Sequence, residues 1–198
     1  RITLVRHRTN QGVGGAIRTG YARAFARGAD IAVVMAGDRQ MHPDDLPALL
    51  HPLLTDQAQY VKGTRLSHAE VRARMPWSRR LGSRILAMLT GLVTGVQVTD
   101  SQCGYTALNR AAAERLPLDQ LWSGYGYPND LIAMAAEHRV PITEVQVRPV
   151  YGQEKSGLGW QHALFVIPYV LLRASLRRAG WRSRRGFGHR LDHEGKAR

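Results

Sequence analysis

The strongest constraint on the fold is a short apolar run that stops abruptly at an acidic residue. Residues 31–36 read Ile-Ala-Val-Val-Met-Ala, and Asp38, Gln40 and a proline-led turn at Pro43 follow. A run this short is typical of a strand buried on both faces. Because ligands bind at the carboxyl ends of strands in α/β sheets, we expect Asp38 and Gln40 at the rim of a site. The alternative is that Asp38 only begins a turn.

Strand-like and helix-like patterns alternate along the chain. Strand patterns cover residues 2–5, 31–35, 60–62 and 142–150, and helical patterns cover residues 14–27 and 43–54. This order with short connections predicts an α/β fold, with a mainly parallel sheet and helices on both faces. The apolar stretches within residues 81–98 are too short to cross a bilayer, so we expect a buried or membrane-surface helix there.

Charge and cysteine content narrow the function classes. The formal net charge of +13 indicates an anionic partner, which is a phosphate group, acidic lipid or nucleic acid. The chain has no RNA-binding aromatic signature, zinc-ligand spacing or recognition-helix pattern, so we expect no nucleic-acid partner. Cys103 is the single cysteine, which excludes an internal disulfide and is compatible with a cytoplasmic location.

The character of the sequence changes near Trp160. Residues 162–176 are mostly apolar, arginines accumulate after them, and Trp160, Tyr169 and Trp181 suit an interfacial helix. Arginines beside such a helix are attracted to anionic lipid. We therefore divide the chain into a domain at residues 1–159 and an amphipathic membrane-surface helix with a basic tail at residues 160–198. The alternative is a solvated basic tail after an ordinary packed helix.

Six segments, including the one that carries Asp38, occur in an order that points to one family. They read NQGVGGAIRTG at residues 10–20, MAGDRQMHPDDL at 35–46, VKGTR at 61–65, TDSQCGY at 99–105, GYPNDL at 126–131 and YGQEKSG at 151–157. This order resembles the family 2 glycosyltransferases, and in particular the dolichyl- and polyprenyl-phosphate sugar synthases. The resemblance implies a GT-A (Rossmann-like) fold. It also implies inverting transfer of a sugar from a nucleotide sugar to a polyprenyl phosphate or similar lipid-linked acceptor.

The start of the chain departs from the family pattern. The family normally places two strands before the position of Arg1, so the resemblance predicts that this sequence is N-terminally truncated. It also implies that Asp38 is the second acid of the metal motif and Gln40 the amide after it, so that both bind Mg²⁺ or Mn²⁺ and the donor. Ala36 replaces the first acid and Arg39 competes with a cation, so we expect a weakened metal site.

The resemblance assigns other residues to the donor and the acceptor. Arg65 and Lys155 correspond to residues that bind donor phosphate, and an arginine offers a planar fork of donors for it. Acceptor contacts are implied for Asp100, Ser101 and Ser156. The alternatives are surface positions for Arg65 and Lys155, and helix capping by Asp100 or Ser101.

Asp130 corresponds to the general base of many inverting family members. A lipid phosphate is already an anion near neutral pH, so a strong base is dispensable for that acceptor. The resemblance implies a protein at the inner, cytoplasmic face of the membrane, peripheral and in contact with an anionic surface. Ala36, Arg39 and the missing front strands keep an alternative open, a catalytically silent remnant that binds lipid or a protein partner.

Overall fold

A computed structural model describes residues 2–69, 71, 75–150 and 165–178. The described strands are β1 (Ile31–Val34), β2 (Tyr60–Thr64), β3 (Thr106–Asn109) and β4 (Ile142–Gln146). The described helices are α1 (Gly12–Ala26), α2 (Leu46–Leu54), α3 (Trp77–Thr94), α4 (Arg110–Arg115), α5 (Tyr127–Glu137) and α6 (residues 165–178, the first two π-helical). Short 3-10 turns cover Pro43–Asp45 and Leu118–Gln120.

The four strands form one sheet in the order β1-β3-β2-β4. β2 pairs with β4 in parallel, whereas β3 pairs antiparallel with both β1 and β2. The prediction of a mainly parallel sheet therefore holds for strand direction, since β1, β2 and β4 run the same way. It missed β3, which is only four residues long and shows no alternation of its own.

The predicted strand at residues 2–5 is wrong. Residues 2–7 have no regular structure, and Ile2 and Leu4 are exposed. A strand is stable only when a neighbour pairs with its backbone groups, and β1, the nearest sheet edge in sequence, pairs only with β3 among the described residues.

Core residues lie on both faces of the sheet because side chains alternate along each strand. Tyr60 and Leu108 pack with α1 and α5 in one cluster. Their neighbours Val61 and Ala107 face the other way and pack with α2 in a second cluster. The helices on both faces agree with the predicted α/β class.

Two glycines determine how α1 packs and where α3 ends. Gly14 allows α1 to approach the loop before α5 closely: its N–H donates to Ser123 O at 2.7 Å, and a Cβ there would collide with Trp122 O. α3 ends at Gly95, whose φ of 74° lies in the left-handed region that favours glycine.

α6 packs directly on the domain. Ile167 and Leu171 form one buried cluster with Leu86 of α3. Arg178 donates to the C-terminal carbonyls of α3, at Val93 and Thr94. The predicted division at residue 160 stays a prediction, but the described part of the second segment is packed against the first. Trp160, Trp181 and the arginines after residue 178 lie outside the described residues.

Candidate functional site

Strand direction gathers the predicted site residues at one end of the sheet. β1, β2 and β4 end there, and we call this end the carboxyl edge. Val34 and Lys62 both pair with Thr106, so the loop that precedes β3 returns to the same edge. The carboxyl edge therefore brings together the segments that carry Asp38, Arg65 and Asp100.

Asp38 and Gln40 form an exposed turn after β1. The Gln40 N–H donates to Asp38 Oδ1 at 3.0 Å, and Arg39 between them has a φ of 63°. The turn interpretation of Asp38 is thus correct as local structure. It is also compatible with ligand binding, since the Asp38 side chain is exposed at the carboxyl edge.

The two acids of the next turn, Asp44 and Asp45, both contact Arg148. Arg148, which follows β4, donates its backbone N–H to Asp45 at 2.9 Å and contacts Asp44 with its guanidinium at 3.1 Å. Its role was not predicted, because the sequence does not reveal that the residues after β4 meet the turn before α2.

The metal-binding capacity of this edge is small. Among the described residues no group of three His, Cys, Asp or Glu side chains is placed to hold a metal ion. Asp38 and Gln40 supply one carboxylate and one amide. Mg²⁺ is commonly bound by only about one or two carboxylates together with substrate phosphates and water. These residues therefore fit a cation that arrives with a diphosphate, and they do not fit an all-protein metal cage.

Arg65 and Asp100 form a buried bidentate ion pair at the carboxyl edge. Arg65 Nε lies 2.8 Å from Asp100 Oδ2 and Nη2 lies 3.0 Å from Oδ1, while the Arg65 backbone N–H also donates to Asp100. Burial acts to raise the pKa of Asp100, but the charge and hydrogen bonds of Arg65 together with the charge of Lys62 outweigh it and lower that pKa below its usual value. Asp100 is fully buried and holds Arg65 in place; its predicted contact with the acceptor stays a prediction.

Two charged residues that were not predicted support this pair. Glu144 of β4 accepts the Thr99 N–H at 2.7 Å and the Asp100 N–H at 3.3 Å. Lys62 of β2 is fully buried, and its ammonium donates a hydrogen bond to Cys103 O. Burial lowers the pKa of Lys62. A lysine inside a strand flanked by apolar residues was the only sequence signal for this arrangement.

Ser101 takes part in a buried polar network. Gln102 donates to Ser101 Oγ at 3.0 Å and to Asn129 Oδ1 at 2.8 Å, and Asn129 donates to Thr90 Oγ1 at 2.7 Å. The network ties the loop before β3 to α3 and α5. The predicted acceptor contact of Ser101 stays a prediction, and its side chain is fully buried in this arrangement.

Asp130 is enclosed by positive charge. Its carboxylate accepts the Trp122 N–H at 2.8 Å and contacts Arg177 at 3.0 Å and Arg173 at 3.2 Å. Arg177 also contacts Glu137 at 2.9 Å. Burial acts to lower the pKa of Arg177, and the charges of Asp130 and Glu137 outweigh it and raise that pKa. Asp130 is fully buried and anchors α6, so its role as a base stays a prediction. Lys155 and Ser156 lie outside the described residues.

Two cavities lie near these elements. One of about 600 Å³ lies between α1 and α4, on the Arg18, Phe25 and Arg110 side chains. The other, of about 360 Å³, is lined by Leu66, Ser67, Arg84, Met88 and Thr99, among others. The second adjoins the carboxyl edge, because Leu66 follows Arg65 and Thr99 precedes Asp100.

Sequence comparisons place this geometry in context. A family model described as glycosyl transferase family 2 matches residues 1–116. A UDP-N-acetylglucosamine–dolichyl-phosphate N-acetylglucosaminyltransferase of Methanococcus voltae is 32% identical over 173 residues, covering 87% of this chain and 69% of that protein. An undecaprenyl-phosphate mannosyltransferase of Micrococcus luteus is 32% identical over 145 residues, covering 72% of this chain and 59% of that protein.

Structural comparisons agree on the fold. The glucosyl-3-phosphoglycerate synthase of Mycobacterium tuberculosis with Mn²⁺ and UDP-glucose superposes with a TM-score of 0.61 at 23% identity, covering 87% of this chain and 56% of that one. The same synthase with Mg²⁺ and UDP gives a TM-score of 0.57 at 22% identity, covering 90% and 57%. The predicted GT-A fold is thereby confirmed. The chain spans about six-tenths of the length of most of these proteins.

Proposed function

The chain belongs to glycosyl transferase family 2, and we propose from this that it transfers a sugar from a nucleotide sugar to a polyprenyl phosphate or similar lipid-linked acceptor with inversion. Two relatives carry names with a dolichyl or undecaprenyl phosphate acceptor. The observation that carries the proposal is the carboxyl edge itself, where an exposed aspartate and an arginine held by an ion pair follow β1 and β2, two strands that run in the same direction on either side of β3. Sugar transfer from a diphosphate needs such groups to stabilise the leaving charge.

The turn after β1 binds the donor in this proposal. Asp38 and Gln40 face the diphosphate and would hold a Mg²⁺ or Mn²⁺ ion, which would neutralise charge on the leaving group. Ala36 supplies no second carboxylate, so the cation depends on the donor's own phosphate oxygens. We therefore expect weak metal binding without nucleotide.

Arg65 contacts donor phosphate from the side of β2. Asp100 fixes two of its guanidinium nitrogens, so the side chain loses little further rotational freedom when a phosphate binds. Lys155 is the other donor-phosphate residue in the proposal. Both cations stabilise charge on the nucleotide diphosphate as the glycosidic bond breaks.

The acceptor enters from the cavity of about 360 Å³ beside the carboxyl edge. One oxygen of its phosphate forms a bond to the anomeric carbon while the bond from that carbon to the donor diphosphate breaks, which inverts the configuration. Asp100, Ser101 and Ser156 shape this side of the site. Because the attacking oxygen is already ionised near neutral pH, Asp130 need not accept a proton in this reaction.

Peripheral association with an anionic membrane at its inner face completes the proposal. Residues 160–198 provide the attachment, as an amphipathic helix and basic tail. The net charge of +13 favours an anionic surface. None of the helices in the described ranges combines the length and hydropathy that a bilayer crossing demands.

A transfer assay tests this function. The chain is incubated with Mn²⁺, undecaprenyl phosphate in detergent and a panel of UDP- and GDP-sugars, and lipid-linked sugar is measured. Asp38→Asn should lower the rate by at least about tenfold. Asp56→Asn is the matched control, because Asp56 is also an exposed turn aspartate but precedes β2 at the opposite end of the sheet. No transfer from any donor, or equal rates for the two variants, would contradict the proposal.

A silent remnant is the second candidate, and Ala36 and Arg39 are the observations that favour it. A remnant would bind lipid or a protein partner without holding a nucleotide sugar. Isothermal calorimetry with nucleotide sugar, at increasing Mn²⁺ concentrations, separates the two. Metal-dependent donor binding would exclude the remnant.

A further inference from the structure

α3 distributes its residues in the opposite way to an ordinary surface helix, with its large apolar side chains on the exposed side. Its buried positions are mostly small or hydroxyl-bearing, at Ser83, Leu86, Ala87, Thr90 and Thr94. Its exposed side carries large apolar residues that are between 45% and 75% exposed, at Trp77, Leu81, Ile85, Met88 and Leu92. These five recur at spacings of three and four residues, so they form one stripe along the helix.

α6 carries a second exposed apolar stripe. Its inner side is filled by Ile167, Val170, Leu171 and Ala174, all buried. Four large apolar residues on the outer side are between 56% and 68% exposed, at Phe165, Tyr169, Leu172 and Leu176. A helix that is apolar on both sides is normally enclosed, so the outer stripe indicates an apolar environment beyond the described residues.

The two stripes belong to one surface. α3 and α6 lie side by side, held by the cluster of Leu86, Ile167 and Leu171 and by the contact of Arg178 with the end of α3. Each stripe points away from the domain. We call the nine residues of the two stripes the docking face. An apolar area of this extent on a folded domain marks an interaction site.

Charge and position indicate what covers the docking face. Arg79, Arg80 and Arg84 lie on α3 beside the stripe, and the whole chain has a net charge of +13. Apolar side chains flanked by arginines and mixed with tryptophan and tyrosine are the pattern of a helix that lies in a lipid interface. A second copy of the chain would bring the same arginines together and repel itself.

The docking face also borders the proposed acceptor cavity. Met88 belongs to the stripe and lines the cavity of about 360 Å³, and Arg84 and Thr99 line that cavity too. A membrane on the docking face would therefore lie against the opening through which a lipid phosphate reaches the carboxyl edge.

We propose that α3 and α6 together form a membrane-docking face that inserts its apolar stripes into an anionic bilayer and turns the acceptor cavity toward the lipid. The inference rests on the proposed function for the role of the cavity, whereas its test measures binding alone. It differs from attachment by the basic tail because it assigns the contact to the folded domain, through α3.

Vesicle flotation without nucleotide sugar tests the docking face. The full chain is mixed with vesicles of phosphatidylcholine and phosphatidylglycerol, or of phosphatidylcholine alone. We expect binding to the mixed vesicles and a loss of about tenfold in affinity for Leu92→Gln. Leu54→Gln is the matched control, since Leu54 is similarly exposed at the end of a helix outside the docking face. The pair Leu172→Gln and Leu176→Gln should weaken binding in the same way.

Several outcomes would overturn the inference. One is a wild-type chain that does not bind the mixed vesicles, and another is a Leu92→Gln variant that binds them as tightly as wild type does. The third is a wild-type chain that is dimeric in light scattering and becomes monomeric with Leu92→Gln. Circular dichroism confirms that each variant is folded. Vesicle binding by a chain that transfers no sugar would support the docking face and contradict the proposed function, so the two failures are distinguishable.

Discussion

Two regions at the carboxyl edge use aspartate in opposite ways. Asp38 lies in an exposed turn, where its side chain accepts a hydrogen bond from the backbone N–H of Gln40. Asp100 is fully buried and bound by Arg65 through three hydrogen bonds. An acid whose hydrogen bonds are all internal stabilises the fold, whereas an exposed acid at the rim of a site is available to a ligand. The difference predicts which substitutions destabilise the fold and which lower the activity without changing stability.

The largest expected effect is the loss of the buried acid. Asp100→Asn removes the negative charge that two Arg65 guanidinium nitrogens contact in a mostly buried position, which should lower the free energy of unfolding by about 3 kcal/mol. Urea denaturation followed by circular dichroism measures it. An unchanged midpoint would remove the distinction between the two regions. Asp56→Asn, an exposed turn variant, should unfold like wild type.

The next effect concerns the polar network beside that pair. Asn129→Leu removes two side-chain hydrogen bonds, the one Asn129 accepts from Gln102 and the one it donates to Thr90, which should lower the free energy of unfolding by about 2 kcal/mol. The same denaturation experiment applies, with Gln57→Leu, which replaces an exposed side-chain amide, as the control. A cost near zero would mean that the network does not hold the loop before β3.

The pH dependence of the buried pair is a smaller effect. Because the pKa of Asp100 is lower in the folded than in the unfolded chain, its stabilising contribution is complete above the unfolded value of about 4. It disappears as the pH falls through the lower folded pKa. The stability difference between wild type and Asp100→Asn should be constant from neutral pH to about pH 5 and narrow in stronger acid. A constant difference down to the lowest measurable pH would contradict the pairing.

The smallest effect is expected from Lys62. Burial lowers its pKa, so the unfolded chain binds the proton more tightly, and stability rises with pH between the folded pKa and the unfolded value of about 10.4. Lys62→Met should remove this rise. Denaturation of both proteins at mildly alkaline pH checks it, and parallel pH profiles would show that the ammonium is not buried in solution.

The sequence predicted those parts of the fold that depend on local patterns. β1 and β2 were recognised from short apolar runs, α1 from alanines and arginines that favour a helix, and α2 from the spacing of its leucines. β3 escaped because four residues show no periodicity, and residues 2–5 were assigned to a strand that has no described neighbour to pair with. Strand pairing is a tertiary property that a local pattern does not contain.

The same limit applies to the site. The position of Asp38 follows from its place after β1, but Arg65, the partner of Asp100, lies 35 residues away, directly after β2, and only the sheet brings the two together. The contacts of Asp130 with α6 depend on how that helix packs. The apolar composition of α3 was visible, and the outward direction of its stripe was not, because a buried helix shows the same residues.

Ligand-induced stabilisation tests the division of labour between Asp38 and Asp100 most directly. Wild type and Asp38→Asn are unfolded in urea with and without Mn²⁺ and a nucleotide sugar drawn from the UDP and GDP panel. We predict that the two proteins unfold alike without ligand and that wild type alone is stabilised when both ligands are present. Equal stabilisation of Asp38→Asn, or none in wild type, would contradict the claim that the exposed aspartate at the carboxyl edge binds a diphosphate.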